Sequence, residues 1–436
     1  MAIIKGLKAV YFNQQKVSID QVVTQPYDKI DEARYQEYLN RDPYNLVRII
    51  LPRAEQGHDY AAAKNFYQQC REKGVLNQYD NETIFRYCEE FQRDGQKFIR
   101  ESFVALAKLE PYKEGTFVPH ENTLSGPKKD RIEHLRKTGV QFGVIFVLYD
   151  DEHDEVQQLL RSVSTNEPVV SFRDQDYSVQ HKQWAITDAE VIQQVALLMK
   201  EKKLFIADGH HRFETGLQYC QEMRQKNTES ERGLYPYEYI MMAFVNMRDE
   251  RLLVLPTHRL IRNISDLDMD QMLDKLRENF SIERHPLPEN LPEQVVKEKL
   301  HESGKERPSF VMYYGAQEWL LLKYKQKSMS ETKFSEKHTQ LWRSLDVVIL
   351  HQLILEDVFG IDDDALRKQS NIVYCREVSE SLEIIQKGGA QIAFLMNPIL
   401  PETVCEIALS GERMPQKSTD FFPKFMSGLL IHDMNM

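Results

Sequence analysis

Apolar and polar positions along this 436-residue chain follow two periods, which predict helices interleaved with strands. Apolar residues three or four apart indicate amphipathic helices, whereas short apolar or alternating runs indicate strands. The predicted helices span 31–39, 58–73, 155–163, 188–200, 210–226, 268–279, 345–359, 379–387 and 402–409. The predicted strands span 142–149, 204–207, 241–246, 252–255, 310–314, 319–324 and 393–396, and residues 83–109 are predicted to form a hairpin around Asp94 and Gly95. This mixture predicts an α/β or α+β fold.

Two stretches interrupt the periodic pattern. Residues 118–131 contain the pair Gly126 and Pro127, which is typical of a turn, so this stretch is predicted as a loop. Pro286, Pro288 and Pro292 lie close together and mark a boundary. We therefore expect one portion spanning residues 1–285 and a C-terminal α/β portion spanning 286–436.

The composition narrows the class of protein. The chain has 67 acidic and 56 basic residues and a net charge of -11, which disfavours a protein whose main task is to bind nucleic acid. Its apolar runs, such as Val144–Leu148, are far shorter than the roughly 20 residues of a membrane helix. Residues 1–11 lack the features of a secretory signal. We expect a soluble, cytoplasmic protein with no nucleic-acid or membrane partner, and a homo-oligomer is compatible with the sequence.

The most informative segment is the turn formed by Asp208, Gly209, His210, His211 and Arg212, between a predicted strand and a predicted helix. Glycine lets the backbone approach a ligand, and the first amides of a helix point unsatisfied donors at it. Basic side chains at a helix N-terminus are unfavourable unless an anion lies there as well. The turn therefore predicts a phosphate site.

Two other interpretations of this turn stay open. Asp208 can be a simple helix cap, with Glu214 placed to pair with His210 on one helix face. Asp208, His210 and His211 are also acceptable metal ligands, although their spacing matches no zinc signature.

A second cluster lies in the segment from His120 to Arg131. Glu121 is a candidate general base, while His120, Thr123, Lys128 and Arg131 are candidate ligands of a second phosphate. Phosphoryl transfer needs positioning, charge neutralisation and a base for the hydroxyl, and these residue types can supply all three. The alternative is a solvated basic loop.

A third cluster, residues 411–418, nearly matches a P-loop but has Gln416 where that motif needs glycine, and the preceding stretch is predicted as a helix. A P-loop is therefore rejected. Lys417, Ser418, Thr419 and Lys424 can still contact an anion from a loop, and a plain polar loop is the alternative.

Two further candidates come from other parts of the chain. His258 and Arg259 follow a predicted strand, where ligands are often bound, and a structural histidine is the alternative. Asp28 is, with Asp208, a candidate ligand of Mg²⁺, which is expected if the phosphoryl donor is a nucleotide or a diphosphate.

Several motifs together resemble a known family. The Asp208–Arg212 turn resembles the phosphate-binding turn of the ParB and sulfiredoxin superfamily, in particular its free-serine-kinase branch. Nearly the whole chain resembles a bacterial family catalogued as a domain of unknown function, number ten-fifteen. The matching segments are Pro26–Asp28, Asp42–Asn45, His120–Thr123, Lys128–Arg131, Asp208–Arg212, Leu255–Arg259, Met414–Thr419 and Phe422–Lys424.

The resemblance implies a ParB/sulfiredoxin-like phosphate-binding core with large insertions in the first portion. Sulfiredoxins have a catalytic cysteine where this chain has His210, so redox chemistry of that kind is not expected. The resemblance implies a phosphotransferase, such as a free-serine kinase, in which Glu121, Asp208 and His211 act in catalysis. The alternatives are a phosphatase of a small phosphorylated molecule such as phosphoserine, and a non-catalytic sensor of a nucleotide or phosphometabolite.

Overall fold

The computed structural model describes residues 1–54, 57–121, 125–227, 235–265, 267–287, 293–325 and 338–435, and they form a mixture of helices and strands that confirms the expected α/β class. The strands are β1 (Ile4–Lys5), β2 (Val10–Phe12), β3 (Leu76–Gln78), β4 (Ile84–Arg93), β5 (Gln96–Lys108), β6 (Phe117–Pro119), β7 (Val140–Gln141), β8 (Ile145–Tyr149), β9 (Val170–Arg173), β10 (Gln180–Ile186), β11 (Leu204–Asp208), β12 (Tyr239–Asn246), β13 (Leu253–Leu255), β14 (His258–Ile261), β15 (Phe280–Pro286), β16 (Ser309–Tyr313), β17 (Glu318–Tyr324), β18 (Ile372–Cys375), β19 (Ile392–Met396), β20 (Asp420–Phe422) and β21 (His432–Asp433).

The α-helices differ widely in length. They are α1 (Ile19–Val22), α2 (Glu32–Arg41), α3 (Val47–Ile50), α4 (Tyr60–Glu72), α5 (Ser125–Thr138), α6 (Glu155–Val163), α7 (Ala189–Met199), α8 (His210–Lys226), α9 (Met269–Asn279), α10 (Glu293–Gly304), α11 (Gln340–Arg343), α12 (Asp346–Ile349), α13 (Asp363–Lys368), α14 (Val378–Gln386) and α15 (Pro401–Leu409). A π-helical segment, Leu350–Glu356, follows α12 directly. Among the described helices, none combines the length and apolar character needed to cross a membrane.

The chain divides into two compact units. The first comprises Met1–Pro119, Thr123–Leu253 and Pro423–Met436, and the second comprises His120–Asn122 and Val254–Phe422. The division falls at residue 253 and not at the expected 285, because β15 pairs with β17 along its length and thereby joins residues before 286 to the second unit.

The first unit is built on a nine-stranded mixed sheet in the order β6-β11-β8-β12-β5-β4-β10-β9, with β1 paired to β5. The hairpin of β4 and β5 turns at Asp94 and Gly95, which is the position that the sequence predicted. The φ angles of these two residues are 49° and 77°. One face of the sheet packs against α5, α6, α7 and α8 around residues such as Phe103 and Phe244, whose rings stack at 4.6 Å. This core fixes β11 and α8, which carry the candidate turn.

The second unit is built on a six-stranded antiparallel sheet in the order β15-β17-β16-β19-β14-β18. Alternate residues of its strands enter two different cores, as period-two side-chain alternation requires. Leu395 packs with residues of α10 and α14, and Phe394 packs with residues of α9, α12 and α15. The unit therefore has helices on both faces of the sheet.

Two sequence predictions need correction. The predicted loop 118–131 is helical from Ser125 onwards, because proline is tolerated in the first turn of a helix and so Pro127 does not end one. The predicted single helix 345–359 is instead the short α12 followed by the π-helical segment.

Candidate functional site

The Asp208–Arg212 turn joins β11 to α8 in the first unit. Asp208 ends the strand, Gly209 has a φ of 94°, and His210 begins the helix. A Cβ atom at position 209 would lie 3.0–3.2 Å from atoms of the Arg212 guanidinium. Glycine is therefore required here both by the left-handed backbone and by the close approach of Arg212.

The carboxylate of Asp208 is shared by two cations. The Nζ of Lys424 donates to Oδ1 at 2.7 Å, and the Nη2 of Arg212 donates to Oδ2 at 2.6 Å. Burial alone would raise the pKa of Asp208, but Lys424 and Arg212 outweigh it and hold the pKa well below its usual range. Asp208 therefore stays ionised and holds both cations at the start of α8.

Arg212 is fixed in this position by a further contact. Its Nη1 donates to the carbonyl of Val144 at 2.6 Å, and its side chain is 17% exposed. A Cβ atom on Gly143 would lie 3.3 Å from the same Nη1, so glycine next to Val144 leaves the space that the guanidinium occupies. His210 is buried, and His211 is partly exposed on the first turn of α8.

Tyr27 and Arg131 lie beside this turn. The guanidinium of Arg131 stacks over the Tyr27 ring at 4.3 Å from the centroid, and its Nε donates to Asp130 at 2.7 Å. Burial raises the pKa of Tyr27 to about 12, with Asp28 and Asp208 acting in the same direction and Arg131 and Arg212 opposing them. Tyr27 therefore stays protonated at neutral pH and can donate a hydrogen bond.

Of the remaining candidates of the first unit, the structure describes Lys128 and Asp28. Lys128 forms an ion pair with Glu214 of α8, which neutralises its charge. Thr123 lies outside the described residues. Asp28 is exposed next to Tyr27.

The residues do not fit a protein-held metal site. In the described parts of the chain, no three histidine, cysteine, aspartate or glutamate side chains are grouped so that they could hold a metal ion. Both oxygens of Asp208 already accept hydrogen bonds, one from Lys424 and one from Arg212. These two cations would repel Mg²⁺.

A second group of candidates lies together in the second unit. The Nε2 of His120 is 2.9 Å from the hydroxyl of Thr419, and Glu121 accepts a hydrogen bond from the backbone amide of Lys417 at 2.9 Å. Glu121 also forms a parallel bridge with Met414, which aligns the two segments. The structure thus brings His120 and Glu121 of the second cluster together with Lys417 and Thr419 of the third, whereas Lys128 and Arg131 belong to the first unit.

Arg259 lies beneath this group and is 1% exposed. Its Nη2 donates to the carbonyl of Lys417 at 3.0 Å, and its guanidinium lies 5.5 Å from the centroid of the Tyr374 ring. Burial lowers the pKa of Arg259 to about 10, against the opposing effects of Tyr374 and Glu121. A charged side chain in this position holds the Lys417 backbone in place.

His258 and Ser418 contact the protein itself. The Nδ1 of His258 accepts the backbone amide of Met396 at 3.2 Å, and burial, followed by the charges of Arg259 and Lys297, lowers its pKa to about 3. This environment favours the structural interpretation of His258. Ser418 donates to the carbonyl of Pro415 at 2.5 Å.

The structure separates two residues that the sequence placed in one loop. Lys424 belongs to the first unit and binds Asp208, whereas Lys417 belongs to the second unit and is held by Glu121 and Arg259. Sequence reasoning also passed over Tyr27, although it lies within the motif that contains Asp28. The position of Tyr27 within the Pro26–Asp28 segment could have identified it as a candidate.

Comparison with solved structures gave matches of low sequence identity and low TM-score. One is a free serine kinase in complex with AMP, at 12% identity and a TM-score of 0.35, covering 71% of this chain and 86% of that chain. Another is SbnI with a C-terminal truncation from Staphylococcus aureus, at 10% identity and a TM-score of 0.35, covering 75% and 87%. A conserved hypothetical protein from Pyrococcus furiosus has 12% identity and a TM-score of 0.34, covering 72% and 90%.

The sequence itself matches one family. No curated protein matches it. The model of a family described as "Protein of unknown function (DUF1015)" matches residues 4–348, which is most of the chain and agrees with the resemblance seen in the motifs. The chain belongs to the DUF1015 family.

Proposed function

We propose that the Asp208–Arg212 turn binds a phosphate group and that the protein is a phosphotransferase acting on a hydroxyl of a small molecule. The observation that carries this proposal is the single Asp208 carboxylate shared by Lys424 and Arg212 at the start of α8. Two cations and one carboxylate leave one net positive charge beside a helix N-terminus, which itself carries about half a positive charge. A bound phosphate would neutralise this excess.

The same geometry suggests what each residue does. The first backbone amides of α8 provide donors for phosphate oxygens, and Gly209 leaves room for the phosphate to approach them. Lys424 and Arg212 supply positive charge and are oriented by Asp208. Asp208 is then a positioning residue and a poor general base, because a carboxyl with so low a pKa has little affinity for a proton.

The base for the acceptor hydroxyl is proposed to be Glu121. Its carboxylate is oriented by the Lys417 amide, and hydrogen bonding of this kind fixes the direction in which a base presents its lone pairs. His211 is the second candidate, because it is partly exposed on the first turn of α8.

The identity of the substrates rests on the resemblance of the turn to that of free serine kinases. It suggests a small hydroxyl compound such as serine as acceptor and a nucleotide or diphosphate as donor. Any Mg²⁺ is expected to arrive with the donor phosphates, since magnesium commonly keeps most of its ligands as water and phosphate oxygens.

The test follows phosphoryl transfer in both directions. The purified chain is incubated with Mg²⁺, L-serine and each of ATP, ADP and pyrophosphate, and O-phosphoserine is followed by ³¹P NMR. We expect product with one donor, and its loss in Glu121→Gln. Orthophosphate released from phosphoserine alone would indicate a phosphatase, and nucleotide binding without turnover would indicate a sensor.

The phosphate site itself is tested by binding. Arg212→Met and Lys424→Met each remove a charge-assisted contact worth about 1.5–3 kcal/mol, so phosphate affinity should fall roughly 10- to 100-fold. Arg248→Met is the matched control, because it breaks an exposed ion pair with Asp150 elsewhere in the first unit. If affinity for every phosphate compound is the same in Arg212→Met, Lys424→Met and the unaltered protein, the proposed site is wrong.

A further inference from the structure

A cavity of about 80 Å³ lies inside the first unit, next to the Asp208–Arg212 turn. Among its lining residues, only Tyr27, Gly143 and Arg212 are partly exposed, and the others are buried. All three adjoin the turn, since Gly143 borders the Arg212 guanidinium and Tyr27 lies within its electrostatic reach. The partly exposed part of the lining is therefore the part that adjoins the turn.

The interior of the cavity is mainly apolar. Leu109, Leu135, Val140, Ile240 and Met434 contribute aliphatic side chains to its wall. A cavity of about 150 Å³ with such a lining can hold benzene, so about half that volume suits an aliphatic group of roughly three or four carbon atoms.

Two charged groups and one phenol of the lining lie beside the turn. The Arg131 guanidinium, which also pairs with Asp130, stacks on Tyr27, and Tyr27 in turn lies near Arg212, so two guanidinium groups and a phenol hydroxyl are grouped there. An occupant with an anionic group at one end and an apolar body at the other would match this distribution of charge.

We propose that the cavity binds the apolar body of the small phosphorylated molecule whose phosphate occupies the turn. This inference rests on the proposed phosphate site and makes its ligand more specific. The ligand is a phosphate ester that carries a short aliphatic group of about three or four carbons. O-phosphoserine, with a single methylene next to the ester oxygen, would fill only part of this volume and should therefore bind more weakly.

One glycine offers a means of filling the cavity without disturbing the turn. A Cβ atom at Gly216, in the middle of α8, would lie 2.6 Å from Cδ1 of Ile240, and both residues line the cavity. Gly216→Ala therefore takes up cavity space, while alanine inside a helix favours folding. Ile240→Val removes the very methyl group that the new Cβ would meet, so the double variant should restore the space.

The experiment measures the dissociation constants of inorganic phosphate, O-phosphoserine and the n-alkyl phosphates from methyl to pentyl by isothermal titration calorimetry. In the unaltered chain, affinity should rise about fourfold per methylene up to three or four carbons and then level off. Gly216→Ala should abolish most of this rise and leave the affinity for inorganic phosphate unchanged. Gly216→Ala combined with Ile240→Val should restore the rise.

The outcomes separate this inference from the proposed function. If inorganic phosphate binds but all alkyl phosphates bind with equal affinity, the cavity assignment is overturned and the phosphate site stands. A rise that is unaffected by Gly216→Ala also overturns the assignment, because the alkyl chain then lies elsewhere. If no phosphate compound binds, both proposals fall.

Discussion

Lys424→Met tests the central arrangement of the site, in which Asp208 is held by two cations. Methionine keeps the approximate length of the side chain and removes the ammonium group that donates to Asp208 at 2.7 Å. The Lys424 side chain is 10% exposed and that of Asp208 is 22% exposed, so solvent screens this pair only partly. Arg212 remains to hold the other carboxylate oxygen.

The expected loss of stability follows from these contacts. Breaking a fully buried ion pair costs about 3–5 kcal/mol, but a partly exposed carboxylate that keeps one cation should cost less. The value for a charge-assisted hydrogen bond, about 1.5–3 kcal/mol, is the appropriate estimate. For a unit of this size a loss of about 2 kcal/mol lowers the melting temperature by roughly 4–8 °C.

The loss should also depend on pH, with a sign fixed by Asp208. A carboxyl whose folded pKa is depressed stabilises the fold above its unfolded pKa of 3.8, and that stabilisation disappears as the pH falls through the folded value. The difference between the unaltered chain and Lys424→Met should therefore be full at pH 7 and smaller at pH 3.

A double-mutant cycle isolates the interaction. Lys424→Met, Asp208→Asn and the double variant are compared by urea unfolding at pH 7, and we expect a coupling energy of about 1.5–3 kcal/mol. Lys97→Met is the control, because Lys97 is 59% exposed in its pair with Glu90 and such pairs contribute less than about 1 kcal/mol. A coupling energy below about 0.5 kcal/mol between Lys424 and Asp208 would refute the arrangement.

Three further predictions concern other residues. Gly209→Ala and Gly95→Ala should each strain a backbone of positive φ by about 1–2 kcal/mol. Only Gly209→Ala should also weaken phosphate binding, because its Cβ would approach the Arg212 guanidinium. Gly95→Ala is the control, since a Cβ at Gly95 meets nothing within 4 Å. Burial raises the pKa of Asp346 to about 7, so its carboxylate destabilises the fold above that pH. In urea unfolding, Asp346→Asn should therefore stabilise the fold by about 1–3 kcal/mol at pH 8 and have little effect at pH 4. Equal effects at the two pH values would contradict this prediction. Arg100→Met leaves the buried Glu89 without its ion-pair partner, so the free energy of unfolding should fall by about 3–5 kcal/mol in the same measurement. A loss below about 1 kcal/mol would show that Glu89 finds another partner.

Local sequence patterns predicted several of the longer elements with accurate bounds. Helix α8 begins and ends where its apolar spacing predicted, at His210 and Lys226, and helix α6 spans the predicted Glu155–Val163. These elements depend on spacing and on glycine or capping residues within a few positions, which a sequence displays directly.

Local patterns misled where neighbouring structure decides the conformation. The start of α5 at Ser125 was missed, because Gly126 and Pro127 suit a turn as well as a first helical turn. The π-helical geometry of Leu350–Glu356 was not predicted either, since the same apolar spacing suits an α-helix and packing in the core selects between them.

The sequence alone placed Asp208, Gly209 and Arg212 in one turn between a strand and a helix, and it predicted that this turn binds an anion, because the residues are adjacent in the chain. Only the tertiary structure decided that Lys424, 216 residues away from Asp208, completes the turn. Lys417, seven residues before Lys424 in the chain, instead donates its backbone amide to Glu121 in the second unit. The physical reason is that partners so far apart in sequence are brought together by the order of strands in a sheet and by core packing, which short-range periodicity does not encode.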